Sequence, residues 1–113
     1  MLQITQRRQE GTLIAVYTGE LDHHAARAAI EQTEDLLVLF PCEKLVLDLS
    51  ELTFMDSSGI GLIMGRHRTM EAIGGSVIVR DPPPHIRRVI RLSGMERIAQ
   101  IQIQKPSCRE GDF

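Results

Sequence analysis

The sequence predicts a single α/β domain with a mixed, mostly parallel β-sheet and the element order β-β-α-β-α-β-α-β. Apolar runs of strand length alternate with segments in which apolar residues recur every three to four positions, the pattern of strands joined by helical crossovers. A length of 113 residues suits one hydrophobic core and is too short for two of ordinary size. With 42% apolar and 25% charged residues the composition is that of a globular chain. A disordered tail, a collagen-like repeat and a membrane protein are therefore excluded as descriptions of the whole chain.

Leu2 and Ile4 alternate with polar neighbours, Glu10-Gly11 marks a turn, and Thr12 to Thr18 is rich in β-branched and apolar residues, so the chain opens with two strands. After Gly19-Glu20-Leu21, Asp22 is a natural N-cap for a helix with Ala26, Ala29, Ile30, Thr33 and Leu37 on one face, ended by Pro41. Lys44 to Ser50 is almost continuously apolar, as in a strand covered on both faces. A second helix begins near Ser57 or Ser58, carries Ile60, Ile63, Met64 and His67 along a stripe, and stops at Gly74-Gly75. Ser76 to Arg80 is the next strand. Asp81-Pro82-Pro83-Pro84 supplies a turn and a proline-tolerant start for a third helix, in which Ile86, Val89, Ile90 and Ser93 keep helical spacing until Gly94. Ala99, Ile101 and Ile103 alternate with glutamines, as in a half-buried last strand. The expectation is one domain over residues 1–113, with its core over about 2–104 and a flexible tail over 105–113.

Composition narrows the function. Three Phe, one Tyr and no Trp imply an aliphatic core and argue against base-stacking platforms for nucleic acid. A net charge of −2 gives no bulk attraction to DNA or to an anionic membrane. That charge is unevenly spread: residues 1–63 hold ten acidic and four basic side chains, residues 64–113 five acidic and nine basic. Without a repeat or a linker, the asymmetry reads as two faces of one domain. The longest apolar run, Leu36 to Phe40, is far below the ~18 residues of a membrane span, and the N-terminus lacks the layout of a signal peptide. Cys42 and Cys108 share no metal-ligand spacing, so neither a disulfide framework nor a zinc site is indicated. A reducing, cytoplasmic setting follows.

In an open α/β sheet the loops leaving the carboxyl ends of parallel strands gather on one edge, where ligands and partners bind. The loop after the second strand holds Asp22, His23 and His24, and the loop after the third holds Phe54, Met55, Asp56, Ser57 and Ser58. Capping accounts for one or two of Asp56, Ser57 and Ser58 without any function. It leaves Gly59, Gly61 and Gly65 unexplained, each of which costs the helix roughly 1 kcal/mol relative to Ala. Either the sheet or a neighbouring helix packs closely on them, or a partner docks there. A serine between a strand and a helix suggests a hydrolase, but Asp56 stands where the nucleophile elbow needs Gly, and no acid-then-His order follows convincingly. No phosphate-binding loop is present. His23 and His24 diverge by about 100° on a helix while His67 and His85 are isolated, so no metal is expected. The cluster of Arg80, Arg87, Arg88, Arg91 and Arg97 reads as a solvated helix face.

The segments Gly19-Glu20-Leu21-Asp22-His23-His24-Ala25-Ala26, Leu45-Val46-Leu47-Asp48-Leu49 and Leu52-Thr53-Phe54-Met55-Asp56-Ser57-Ser58-Gly59-Ile60-Gly61 closely resemble a STAS domain of the anti-anti-sigma type, the sporulation anti-sigma factor antagonists above all. The resemblance runs from about Leu2 to Ile103. It implies a STAS fold, no enzymatic activity, and partner switching: the unphosphorylated antagonist binds an anti-sigma factor that is also a serine kinase and frees the sigma factor. The kinase then phosphorylates the antagonist, and a phosphatase of the PP2C type resets it. ATP is a co-substrate of that kinase, so the chain itself needs no cofactor. The motif's second serine, which the family phosphorylates, falls on Ser58, and the family's kinase-facing acidic residue falls on Asp22. The implied partner surface comprises Asp22, His23, Ser57, Ser58, Gly59, Ile60 and Gly61. Two other roles are weighed beside it: a scaffold subunit of a stressosome-like assembly, and a small hydrolase using Ser57 or Ser58.

Overall fold

A computed structural model describes residues 1–98 and 102–104. The elements are β1 (Gln3–Gln9), β2 (Thr12–Leu21), α1 (His23–Leu39), β3 (Lys44–Met55), α2 (Ser57–Ala72), β4 (Ser76–Arg80), α3 (Pro84–Ser93), α4 (Met95–Ile98) and β5 (Gln102–Gln104). They build one five-stranded sheet in the order β1-β2-β3-β4-β5. β1 runs antiparallel to β2, and every other pair is parallel. The expected order is present, with α4 as an addition after Gly94. The expected tail over 105–113 and the start of the last strand at Ala99 to Ile101 lie outside the described residues.

Local chemistry explains the boundaries. Glu10 and Gly11 both take positive φ, 27° and 78°, which gives the two-residue hairpin the twist that its strands require. Gly94 adopts a left-handed C-cap, φ 75°, and closes α3. The stretch after Ser50 is strand rather than loop: β2 continues to Leu21 and pairs Thr18 with Glu51 and Leu21 with Met55 through two register shifts. Polar Ser50 and Glu51 break the alternation there and hide the strand from a reading of periodicity.

The helices cover one face of the sheet. Leu13, Ala15, Tyr17, Leu45, Leu47, Leu49, Val77 and Val79 point into that layer and meet Ala29, Leu62, Ile63, Met70, Ile86 and Ile90. Alternate residues Ile14, Val46 and Ile78 form a smaller cluster on the other face. The buried stripe of α2 is Gly59, Leu62, Ile63, Arg66 and Met70, rotated from the expected one, since Ile60, Met64 and His67 are only half-buried.

Candidate functional site

The site is built by two helix starts at the ends of paired strands. Leu21 and Met55 stand opposite each other in the parallel β2–β3 pair, so the next residues, Asp22 and Asp56, leave adjacent strands side by side. The Asp56 N–H donates to the Leu21 carbonyl at 3.4 Å and ties the two exits together. The two loops therefore share one edge, as the topology predicts.

Each aspartate caps the helix it precedes. Asp22 Oδ1 accepts from the Ala25 N–H at 2.9 Å, and Asp56 Oδ1 accepts from the Ser58 N–H at 2.8 Å. The Ala25 amide, aided by the charges of His24 and His23, holds the Asp22 carboxyl below its ordinary pKa. His23 and His24 are exposed, with ring centroids 4.1 Å apart and planes tilted by 37°.

Ser57 is exposed and Ser58 half-buried, and neither hydroxyl has a hydrogen-bond partner among the described residues. Among the described residues no base is hydrogen-bonded to either hydroxyl. Among the described residues no three His, Cys, Asp or Glu side chains gather as a metal site would need.

The glycines divide. A Cβ on Gly59 would overlap the Met55 thioether and press on Leu21 Cδ2 at 3.2 Å, so this buried residue is bare for internal packing. Any part of Gly59 in a partner surface is limited to its backbone. Gly61 and Gly65 have nothing within 4 Å of the corresponding position and leave one flank of α2 open. Ile60 packs partly against the core beside them.

Sequence reasoning missed the brace behind this edge. His85 Nε2, at the start of α3, lies 2.9 Å from the Thr53 carbonyl oxygen, and the Thr53 hydroxyl donates to the Gly19 carbonyl at 3.1 Å. These contacts join residues more than thirty positions apart and leave no local signal. Phe54, which the sequence places at this edge without a role, is 45% exposed next to the end of β3.

Comparison with known proteins agrees with this geometry. The STAS domain family model matches residues 3–105. The anti-sigma F factor antagonist of Paenibacillus polymyxa is 39% identical over 100 residues, 88% of this chain and 86% of that protein. The solved unphosphorylated anti-sigma factor antagonist SpoIIAA superposes with a TM-score of 0.74 at 29% identity, covering 99% of this chain and 91% of that one. The phosphorylated form of the Bacillus cell fate determinant SpoIIAA gives 0.67 at 28% identity, covering 99% and 95%. With its two capped helix starts on paired strands and a family match over nearly its whole length, the chain belongs to the STAS domain family.

Proposed function

We propose that this protein is a cytoplasmic, non-enzymatic anti-sigma factor antagonist that works by partner switching. Unphosphorylated, it docks on a serine-kinase anti-sigma factor through Asp22, His23, Ser57, Ser58, Ile60, Gly61 and the backbone of Gly59, and the sigma factor is released. Phosphorylation of Ser58 ends the docking, and a PP2C-type phosphatase restores it. The observation that carries this reading is the place of Ser58: in the first turn of α2, its hydroxyl unengaged, on the edge shared with Asp22.

The physical chemistry is consistent with a switch that leaves the fold intact. A phosphoryl group brings about −1.5 to −2 charges, and the dipole of a helix N-terminus stabilises it there. The Asp56 carboxylate, which accepts from the Ser58 amide, adds a like charge beside it. Enclosing such a group unpaired at an interface costs several kcal/mol, and ~4 kcal/mol is about a thousandfold in affinity. The relationship to antagonists solved in both phosphorylation states supports the same reading.

Incubation with the cognate anti-sigma factor and ATP, followed by intact-mass measurement, tests it. The wild type and Ser57→Ala should each gain one phosphoryl group and Ser58→Ala none. Ser58→Ala should stay bound to the anti-sigma factor, and Ser58→Asp should bind weakly with a native circular dichroism spectrum. Phosphorylation of Ser58→Ala to the wild-type extent would assign the site elsewhere.

A further inference from the structure

We infer that α3 presents a second docking surface, fitted to an acidic segment of the protein partner. Its inner side buries Ile86 and Ile90, while Arg87, Arg88 and Arg91 lie along an open groove of about 560 Å³ whose other walls are Pro82, Pro84 and Leu92. Among the described residues none of the three arginines has an ion-pair partner. Leu92 is 76% exposed.

The bland account, a solvated helix face, fits poorly with how the charges are placed. Arg87 and Arg91 are four residues apart and Arg88 and Arg91 three, spacings at which like charges repel across a helix surface. Arg87 and Arg88 follow an N-terminal turn that holds no acidic residue to offset them. Only Arg91, in the last turn, gains from the dipole. The arrangement works against α3 itself, so an external anion is what it suits.

Composition and position select the anion. The chain is net negative and no aromatic residue is interleaved with the arginines, which disfavours nucleic acid and anionic membranes. The proline and leucine walls provide apolar contact beside the charge, as a peptide of mixed acidic and apolar residues requires. The His85–Thr53 contact anchors the start of α3 to β3 two residues before that strand ends at Met55, and α3 packs against α2, so the groove begins beside the edge bearing Ser58. The occupant is an acidic surface segment of the anti-sigma factor, an identification that rests on the function proposed above.

The test compares wild type with Arg88→Glu/Arg91→Glu and with the milder Arg88→Gln/Arg91→Gln in binding kinetics to the cognate anti-sigma factor at several salt concentrations. Charges at the rim of an interface act mainly on association. The expected result is a fall in association rate of about tenfold for the reversal, a smaller fall for the neutral pair, a shallower salt dependence in both, and unchanged circular dichroism. Unchanged association rates and salt dependence would overturn the inference while leaving the Ser58 switch standing. If wild type does not bind the anti-sigma factor at all, the proposed function fails instead. The groove is then judged with a fluorescent peptide alternating Glu and Leu against its Lys and Leu counterpart: selective, arginine-dependent capture of the acidic peptide supports it, and no capture overturns it. Arginine-dependent binding of duplex DNA or of phosphatidylglycerol vesicles in preference to the acidic peptide would also overturn it.

Discussion

Asp22 and Gly61 can each be separated from their structural duties by one substitution. Asp22→Asn keeps a capping oxygen for the Ala25 amide, because Asn caps about as well as Asp, but removes the charge that faces the proposed partner. Melting should be near native and binding of the anti-sigma factor weaker; unchanged binding would leave Asp22 as a cap only. The glycines of α2 make a sharper contrast. Gly61→Ala meets open space and should stabilise the protein by up to about 1 kcal/mol, whereas Gly59→Ala drives a methyl group into Met55 and Leu21 and should cost about 1–3 kcal/mol. Gly61→Leu should fold and bind the partner poorly. Denaturant melts of the two alanine variants decide between these environments, and equal effects would contradict the packing described.

At the scale of elements, α1 and α2 are joined by an unusual contact for a small apolar core. Arg66 lies almost fully buried in α2, with Nη2 3.0 Å from Glu34 Oε2 on α1 and with Nε and Nη1 unpartnered. Removing one member of a buried pair leaves the other charge uncompensated, while replacing the buried cation by a hydrophobe of similar volume can be neutral or better. Glu34 is half exposed, so solvent screens part of its effect. Glu34→Ala should therefore destabilise by about 1 kcal/mol, and Arg66→Met should leave the melting temperature unchanged or raised; a large loss on Arg66→Met would show that the guanidinium organises the helix pair. Nothing in the sequence announces this contact. Regular elements are legible because their periodicity is local: the caps at Asp22, Asp56 and Gly94 and the edge that gathers Asp22 with Ser57 and Ser58 follow from residue types and topology. The far half of β3 is not legible, because bulged pairing with β2 sets it. The separate roles of Gly59 and Gly61 depend on which side of α2 meets the sheet, and an apolar stripe containing a buried arginine disguises that side.

For the whole molecule, the groups that titrate differently in the folded chain set a window of pH stability. Tyr17 is fully buried, its hydroxyl 2.6 Å from Thr33 Oγ1. Burial pushes its pKa up to about 12, against smaller opposing effects of the Thr33 hydrogen bond and the Arg66 charge. The raised value means that the folded state holds the phenolic proton more tightly than the unfolded chain, so this contribution is complete below the unfolded value of ~10 and is lost as pH rises from there toward 12. On the acid side the sign reverses. Burial alone would raise the Asp48 pKa, but the Ser50 hydroxyl and amide, at 2.7 and 2.9 Å, and Arg80 Nη2, at 2.9 Å, outweigh it and hold the carboxylate below its ordinary range. Its contribution is present above the unfolded value of about 4 and is lost as pH falls through the lower folded value. Thermal melts across pH should therefore show a plateau with a fall below about pH 4 and another above about pH 10. Because the chain has a single tyrosine, tyrosinate absorbance reports the alkaline limb without ambiguity. It should lag free tyrosine until the fold is lost, and Tyr17→Phe should lift much of the alkaline fall while leaving the acid limb in place. Titration of Tyr17 near pH 10 in the folded protein would place the ring in contact with solvent and contradict the core described.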